Sequence, residues 1–459
     1  MAYSRNAKKN INNALVLLVF SLIAQSAPAK APPDQTARLD RDLTPLGAER
    51  AGSEGGEVPP WDGGIKQPPA NYNPDKWHAD PFDADVPRFI INAGNAQDYS
   101  DKLTEGHKAL LQKYPSDYIL KVYPSRRSAS YPDHVYAALK QNAAKAELMP
   151  RGTGVKGSLI TSPFPIPNQG VEIIWNHILR YRGEEAAFRS SFAATLPDGS
   201  YTPVTTDYEY FFVYAQQHNR PEDIDNKIFY LKTEVVAPAK LAGTMNLVHE
   251  TLDQIRSPRQ SWGYQAGERR VRRSPNLAYD GEAPNSEGVR TTDQIDMYNG
   301  APDQYEWTLI AKKIIYVPYN AYPLHSSNLR MNDIVRPGHI NQEHARYEAH
   351  RVWVVEGVLR EGLGHIYHKR RMYFDEDSWQ LLVAEDYDDK GELWRVSEAH
   401  VVNYYEVKAP WTTLEVIYDL KSGRYFVDGL DNEERPRDFA PGLRDSDFST
   451  SAVRRAARR

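Results

Sequence analysis

The chain contains no cysteine in 459 residues. That excludes a disulfide frame, a thiol nucleophile and thiolate metal ligation, and it leaves no residue to carry an N-terminal lipid. Long hydrophobic runs are also missing. The one sustained apolar stretch, "ALVLLVFSLIA" from Ala14 to Ala24, is too short to span a bilayer. No G-x-S-x-G, phosphate-binding loop or dinucleotide fingerprint occurs. A formal charge of −5 gives no bulk affinity for nucleic acid.

The first residues read as an export signal. Arg5, Lys8 and Lys9 form a basic region ahead of the apolar stretch, and Ala27-Pro28-Ala29 supplies small residues for cleavage. The alternative, a membrane anchor, needs a longer apolar run. Residues 1–29 are therefore expected to be removed on export to the periplasm, leaving a chain without a lipid anchor. Losing three bases and no acid takes the formal charge from −5 to −8.

Residues 30–85 are rich in Pro, Gly and Asp. They offer too little apolar surface to offset ordering entropy, so an extended wrap held by Trp61, Trp77 and Phe82 is expected. A single domain over 86–443 follows, then a basic tail over 444–459 expected to fray. Within the domain, helical stripes fall mainly in 96–183. Tyr99, Leu103, His107, Leu110 and Leu111 make one. Val135, Leu139 and Ala143 make a second, and Val171, Ile174, Trp175 and Ile178 a third.

From about Ala187 to residue 430 the period becomes two. Turn signals at 197–199, 375–378, 388–391 and 421–423 separate strands in series, which implies an antiparallel meander. With 29 Tyr and segments such as "RVWVVEGVLR" apolar on both faces, the sheet must be covered on both sides. The fold class read from this pattern is α+β, a large antiparallel sheet with a few helices.

The densest chemistry lies in 367–396, where Asp375-Glu376-Asp377 and Glu385-Asp386-Tyr387-Asp388-Asp389 sit between aromatics and bases. Neither run has calcium-loop spacing. A glycosidase would need two carboxylates facing each other across a sugar, whereas Asp and Ser at strand ends favour turns. Turn punctuation outweighs acid–base catalysis and metal binding, so no catalytic residue, metal or cofactor is assigned. His365 and His368 are read on one strand, pointing to opposite faces.

Candidate ligand-binding residues are Trp175, His177 and Arg180 at the end of the third helix, where a polar latch could meet a head group. Trp262, Trp307, Trp353, Trp379 and Trp394 could line a hydrophobic cavity, ordinary sheet core being the alternative. Arg126 and Arg127, with Arg269, Arg270, Arg272 and Arg273, could contact a partner or an anionic head group. For all six, the alternative is a charge-guarded edge strand.

Six long segments in order carry a resemblance: 43–64, 121–143, 164–183, 268–275, 291–307 ("TTDQIDMYNGAPDQYEW") and 354–396. On these the chain resembles the large domain-of-unknown-function family of outer-membrane lipoprotein-sorting proteins of Gram-negative bacteria, similar in fold to the Lol-type carriers. The resemblance implies a strongly curved sheet, a half-open barrel with helices on its concave side. It implies a carrier for a lipid, a lipoprotein acyl chain or another hydrophobic molecule, moving between inner and outer membranes. Its implied partners are an inner-membrane hydrophobe exporter and an outer-membrane β-barrel, not nucleic acid. No catalytic residue is established for the family, so none carries over. A periplasmic hydrolase, a structural partner of an export complex and an outer-membrane barrel are the competing readings.

Overall fold

The computed structural model describes residues 31–274 and 280–457. The export-signal region lies outside the described residues.

The N-terminal segment is irregular apart from one turn of helix, α1 (Pro33–Thr36). It is pinned by buried Leu39, Leu43, Leu46 and Val58, and Trp77 packs edge-on against His325. Next come β1 (Phe89–Ile91), α2 (Glu105–Lys113), β2 (Leu120–Tyr123) and α3 (Asp133–Lys145). A two-strand ribbon, β3 (Glu147–Leu148) with β4 (Val155–Lys156), leads to α4 (Gly170–Ile178). Helix α2 starts where Thr104 accepts a hydrogen bond from the His107 amide. Helix α3 ends at Lys145, because Ala146 is already extended.

Two meanders follow. The first is β5 (Glu185–Ala194), β6 (Val204–Phe211), β7 (Lys227–Ala237), β8 (Met245–Thr251), β9 (Gln260–Gln265) and β10 (Arg270–Arg273). The second is β11 (Tyr305–Pro318), β12 (Tyr347–Leu359), β13 (Lys369–Asp375), β14 (Leu381–Tyr387), β15 (Leu393–Tyr404), β16 (Ala409–Asp419) and β17 (Tyr425–Leu430). Short α5 (Met331–Ile334) interrupts the second, and α6 (Thr450–Ala456) closes the described chain.

The last strand of the second meander pairs antiparallel with the first strand of the first, Val427 opposite Ala193. This joins the two into one open, curved sheet of fifteen strands, including β1 and β2. The sheet is antiparallel except where β2 pairs parallel with β12 at Tyr347 and Glu348. The α+β class holds, with the turns at 197–199, 375–378, 388–391 and 421–423 all in place.

Both faces are covered, as strands apolar on both sides require; every residue of β14 is buried. One face packs Ile173, Ile174, Trp175 and Ile178 of α4 against Val355, Phe374, Leu381 and Val401. Helix α2 lies on the opposite face instead, with Leu110 and Leu111 against Val396, Leu414 and Val416. The helices therefore do not all share one side, because the stripe of α2 matches the apolar residues of β15 and β16 that point away from α4.

Two other differences have clear causes. His365 precedes β13 and is not part of a strand. Residues 444–457 are ordered against the sheet: Phe448 and Val453 are buried, and His249 bonds the Phe448 carbonyl at 2.8 Å. Two apolar anchors in a basic segment suffice to dock it. Among the described residues no helix is long and apolar enough to cross a membrane.

Candidate functional site

The α4 face of the sheet is not filled along its whole length. Over the first meander it leaves a cavity of about 250 Å³. Strand alternation builds the wall: Phe188 and Ser190 on β5, Tyr208 and Tyr210 on β6, Phe229, Leu231 and Thr233 on β7, and Asn246, Val248 and Glu250 on β8. The β17–β5 pairing brings Trp411, Thr413 and Glu415 of β16 and Asp428 of β17 to the same space. Gly429 is the extra residue of a bulge between Asp428 and Leu430. Its φ of +94° suits glycine, and a Cβ there would lie 2.1 Å from the Thr413 carbonyl oxygen. The segment 283–299 closes over the cavity through Ala283, Pro284, Arg290, Thr292, Ile295, Asp296 and Asn299.

Charged groups sit at fixed places in this wall. Arg259 pairs with Glu250 at 2.7 Å, and Asn299 donates to the same carboxylate at 2.8 Å. Arg290 pairs with Asp428 at 2.7 Å. Asp296 receives Arg180 and Arg182, each at 2.5 Å, and these two cations hold its carboxyl well below the usual range against the pull of burial. Glu415 behaves oppositely: burial, then the nearby Asp296 charge, pushes it up to about 7. Its oxygens accept from the Met297 amide at 3.2 Å and the Thr412 hydroxyl at 3.1 Å. Arg437 has its guanidinium 4.0 Å from the Phe188 ring centre and 4.2 Å from that of Trp411.

The sequence model of DUF1329, proteins of unknown function, matches residues 90–454. This chain belongs to the DUF1329 family. It is 44% identical over 439 residues to the uncharacterized protein PA3922 of Pseudomonas aeruginosa, covering 95% of this chain and 96% of that one. It is similar to a crystal structure of a DUF1329 family protein from Desulfovibrio piger (TM-score 0.40, 14% identity, 59% of this chain and 92% of that one). It is also similar to a LolA superfamily protein from Nitrosomonas europaea (TM-score 0.35, 15% identity, 62% of this chain and 100% of that one).

In this DUF1329 chain the tryptophans singled out by sequence do not line the cavity. Trp175 is in the core, donating to the Gly152 carbonyl at 2.9 Å. Trp353 and Trp379 stack on each other, and Trp262 packs against His249. Trp307 lies over Gly357, its cross-strand partner, and Trp394 donates to Asp419 at 3.0 Å. His177 is fully buried and bonds the Asp296 carbonyl at 3.0 Å; burial and the neighbouring arginines lower it to about 3, so it stays neutral. Arg180 reaches the site only through Asp296.

The arginines divide. Arg126 is half-exposed and pairs with Asp85 at 2.6 Å. Arg127 is buried, gripping Asp377 at 2.7 and 2.8 Å and Glu376 at 3.3 Å. This corrects the expectation of a docking surface there: the side chain is an internal tie. Arg269, Arg270, Arg272 and Arg273 are exposed on and before edge strand β10, the charge-guarded edge.

The first carboxylate run forms a buried turn; the second runs down β14 as buried Glu385, Asp386 and Tyr387 and ends in the 388–391 turn, where Asp389 is exposed. Asp375, Glu376 and Asp377 are buried beneath the N-terminal segment, where Glu376 also takes Lys312 at 2.9 Å and Arg351 at 3.2 Å. Donor atoms of His350, Asp375 and Asp377 lie within 4.8 Å of one another. Arg127 already occupies both oxygens of Asp377, so the group reads as an ion-pair tie. Asp386 is pushed up to about 6 by burial and accepts from Gln294 at 2.9 Å. Beside it Arg370 bonds Asp293 at 2.5 Å. The second run thus braces the segment 291–299 that roofs the cavity.

Proposed function

We propose that this protein is a periplasmic carrier that holds a lipid or another hydrophobic molecule in the cavity between the first meander and the 283–299 segment. The observation that carries this reading is the unfilled space itself. A space of about 250 Å³ is many times what one water needs, and fixed side chains line it rather than fill it. Here an aromatic and aliphatic wall meets a few convergent polar groups, the composition of a ligand pocket. The export signal read in residues 1–29 fits a periplasmic setting.

Native mass spectrometry of protein purified without detergent from a Gram-negative host tests this. A co-purifying hydrophobic molecule is expected, lost when Val248→Trp fills the cavity. Protein that is empty in repeated preparations and binds no added amphiphile would overturn it.

A further inference from the structure

The charges around the cavity do not balance. Five guanidinium groups line it or brace its wall, and only three carboxylates answer them. Arg259 has Glu250, Arg290 has Asp428, and Arg180 and Arg182 share Asp296. Arg437 forms no ion pair among the described residues; its one hydrogen bond is Nη2 to the Thr412 carbonyl, at 3.5 Å. Nη1 is out of contact with solvent and has no partner among the described residues. The fourth carboxyl, Glu415, makes no ion pair among the described residues and is pushed up to about 7 by burial, so near neutral pH it cancels only part of the excess.

We infer that the occupant is an anionic amphiphile, its carboxylate or phosphate head at the edge of the Arg437 guanidinium and its chain along the Tyr208, Phe229 and Val248 wall. This rests on the carrier reading above and specifies its ligand class. The aromatic rings hold the guanidinium plane fixed, so its fork of donors is oriented before a ligand arrives. The residue is half-buried and its Nη1 is already out of solvent, so part of the cost of removing water from it is met before an anion arrives. A neutral amphiphile would leave the excess positive charge unanswered in a low-dielectric space.

Calorimetric titration of the full exported chain, stripped of lipid, with decanoate, decyl phosphate and decanol tests the inference. Decanoate and decyl phosphate should bind at least tenfold more tightly than decanol, and the difference should shrink as salt is raised. Arg437→Gln should weaken the two anions at least tenfold and leave decanol unchanged; Arg437→Lys, which keeps the charge without the fork, should fall between. If decanol and decanoate bind alike and Arg437→Gln moves neither, the carrier reading stands and the anion inference fails. If no amphiphile binds, the carrier reading itself fails. Should Arg437→Gln not fold, the comparison of the three ligands on the unaltered protein still decides.

Discussion

Replacing Arg127 by Met tests whether the buried carboxylate turn fastens the N-terminal segment. Arg127 holds Asp377 through two bonds at 2.7 and 2.8 Å, reaches Glu376 at 3.3 Å, and donates to the Pro59 carbonyl at 3.3 Å. Its side chain and those of Glu376 and Asp377 are at most 3% exposed. Removing the cation strands Asp377 in a low-dielectric site, and breaking a buried pair in this way costs about 3–5 kcal/mol. Methionine keeps most of the aliphatic bulk, so little of this arises from lost packing. A cooperative chain of 459 residues has an unfolding entropy of about 1 kcal/mol per kelvin at ~2.1 cal/mol/K per residue. The midpoint should then fall by about 3–5 °C in calorimetry, and residues 43–64, whose segment touches the tie through Pro59, should become sensitive to limited proteolysis. The double variant Arg127→Met, Asp377→Asn should recover more than half of the loss, because no uncompensated charge remains. A single-variant loss below about 1 kcal/mol, or a double variant whose loss equals the sum of the singles, would refute the reasoning.

Two further outcomes are expected. Glu415 carries a folded pKa of about 7 against an ordinary 4.5, so the folded state binds more protons between those values and stability falls as pH rises through that window, by up to about 3 kcal/mol. Asp375 and Asp386, both pushed up to about 6, act in the same sense. Glu415→Gln should remove its share, so that denaturant titrations show the variant less pH-dependent than the parent from pH 5 to 8; equal slopes would count against the assignment. Gly357→Ala would place a Cβ 2.4 Å from the Trp307 ring, and such overpacking should cost about 1–3 kcal/mol in chemical denaturation.

Much of the architecture was legible because it is local. Period-two alternation and the Asp-Glu-Asp-Ser, Asp-Asp-Lys-Gly and Lys-Ser-Gly turns place β13 to β17 almost by themselves, and three apolar stripes place the longer helices. The site was less legible. Tyr208 with Tyr210 and Phe229 with Leu231 already alternate onto a common face in the sequence. Trp411, Glu415 and Arg437 join them only because β17 pairs with β5 across more than two hundred residues. The tryptophans drew attention by size and chemistry, yet large aromatic rings serve equally well as core, and partners such as Gly152, Gly357 and Asp419 are distant in sequence.

By itself the sequence determined the α+β class, three longer helices followed by strands in series, the turns between those strands and an apolar demand on each face of the sheet. Those properties follow from backbone geometry and side-chain alternation, which act over a few residues. The tertiary structure decided where that demand is left unmet and which charges remain unanswered there. A cavity and a charge imbalance are sums over groups from many strands, and no short stretch of chain contains them.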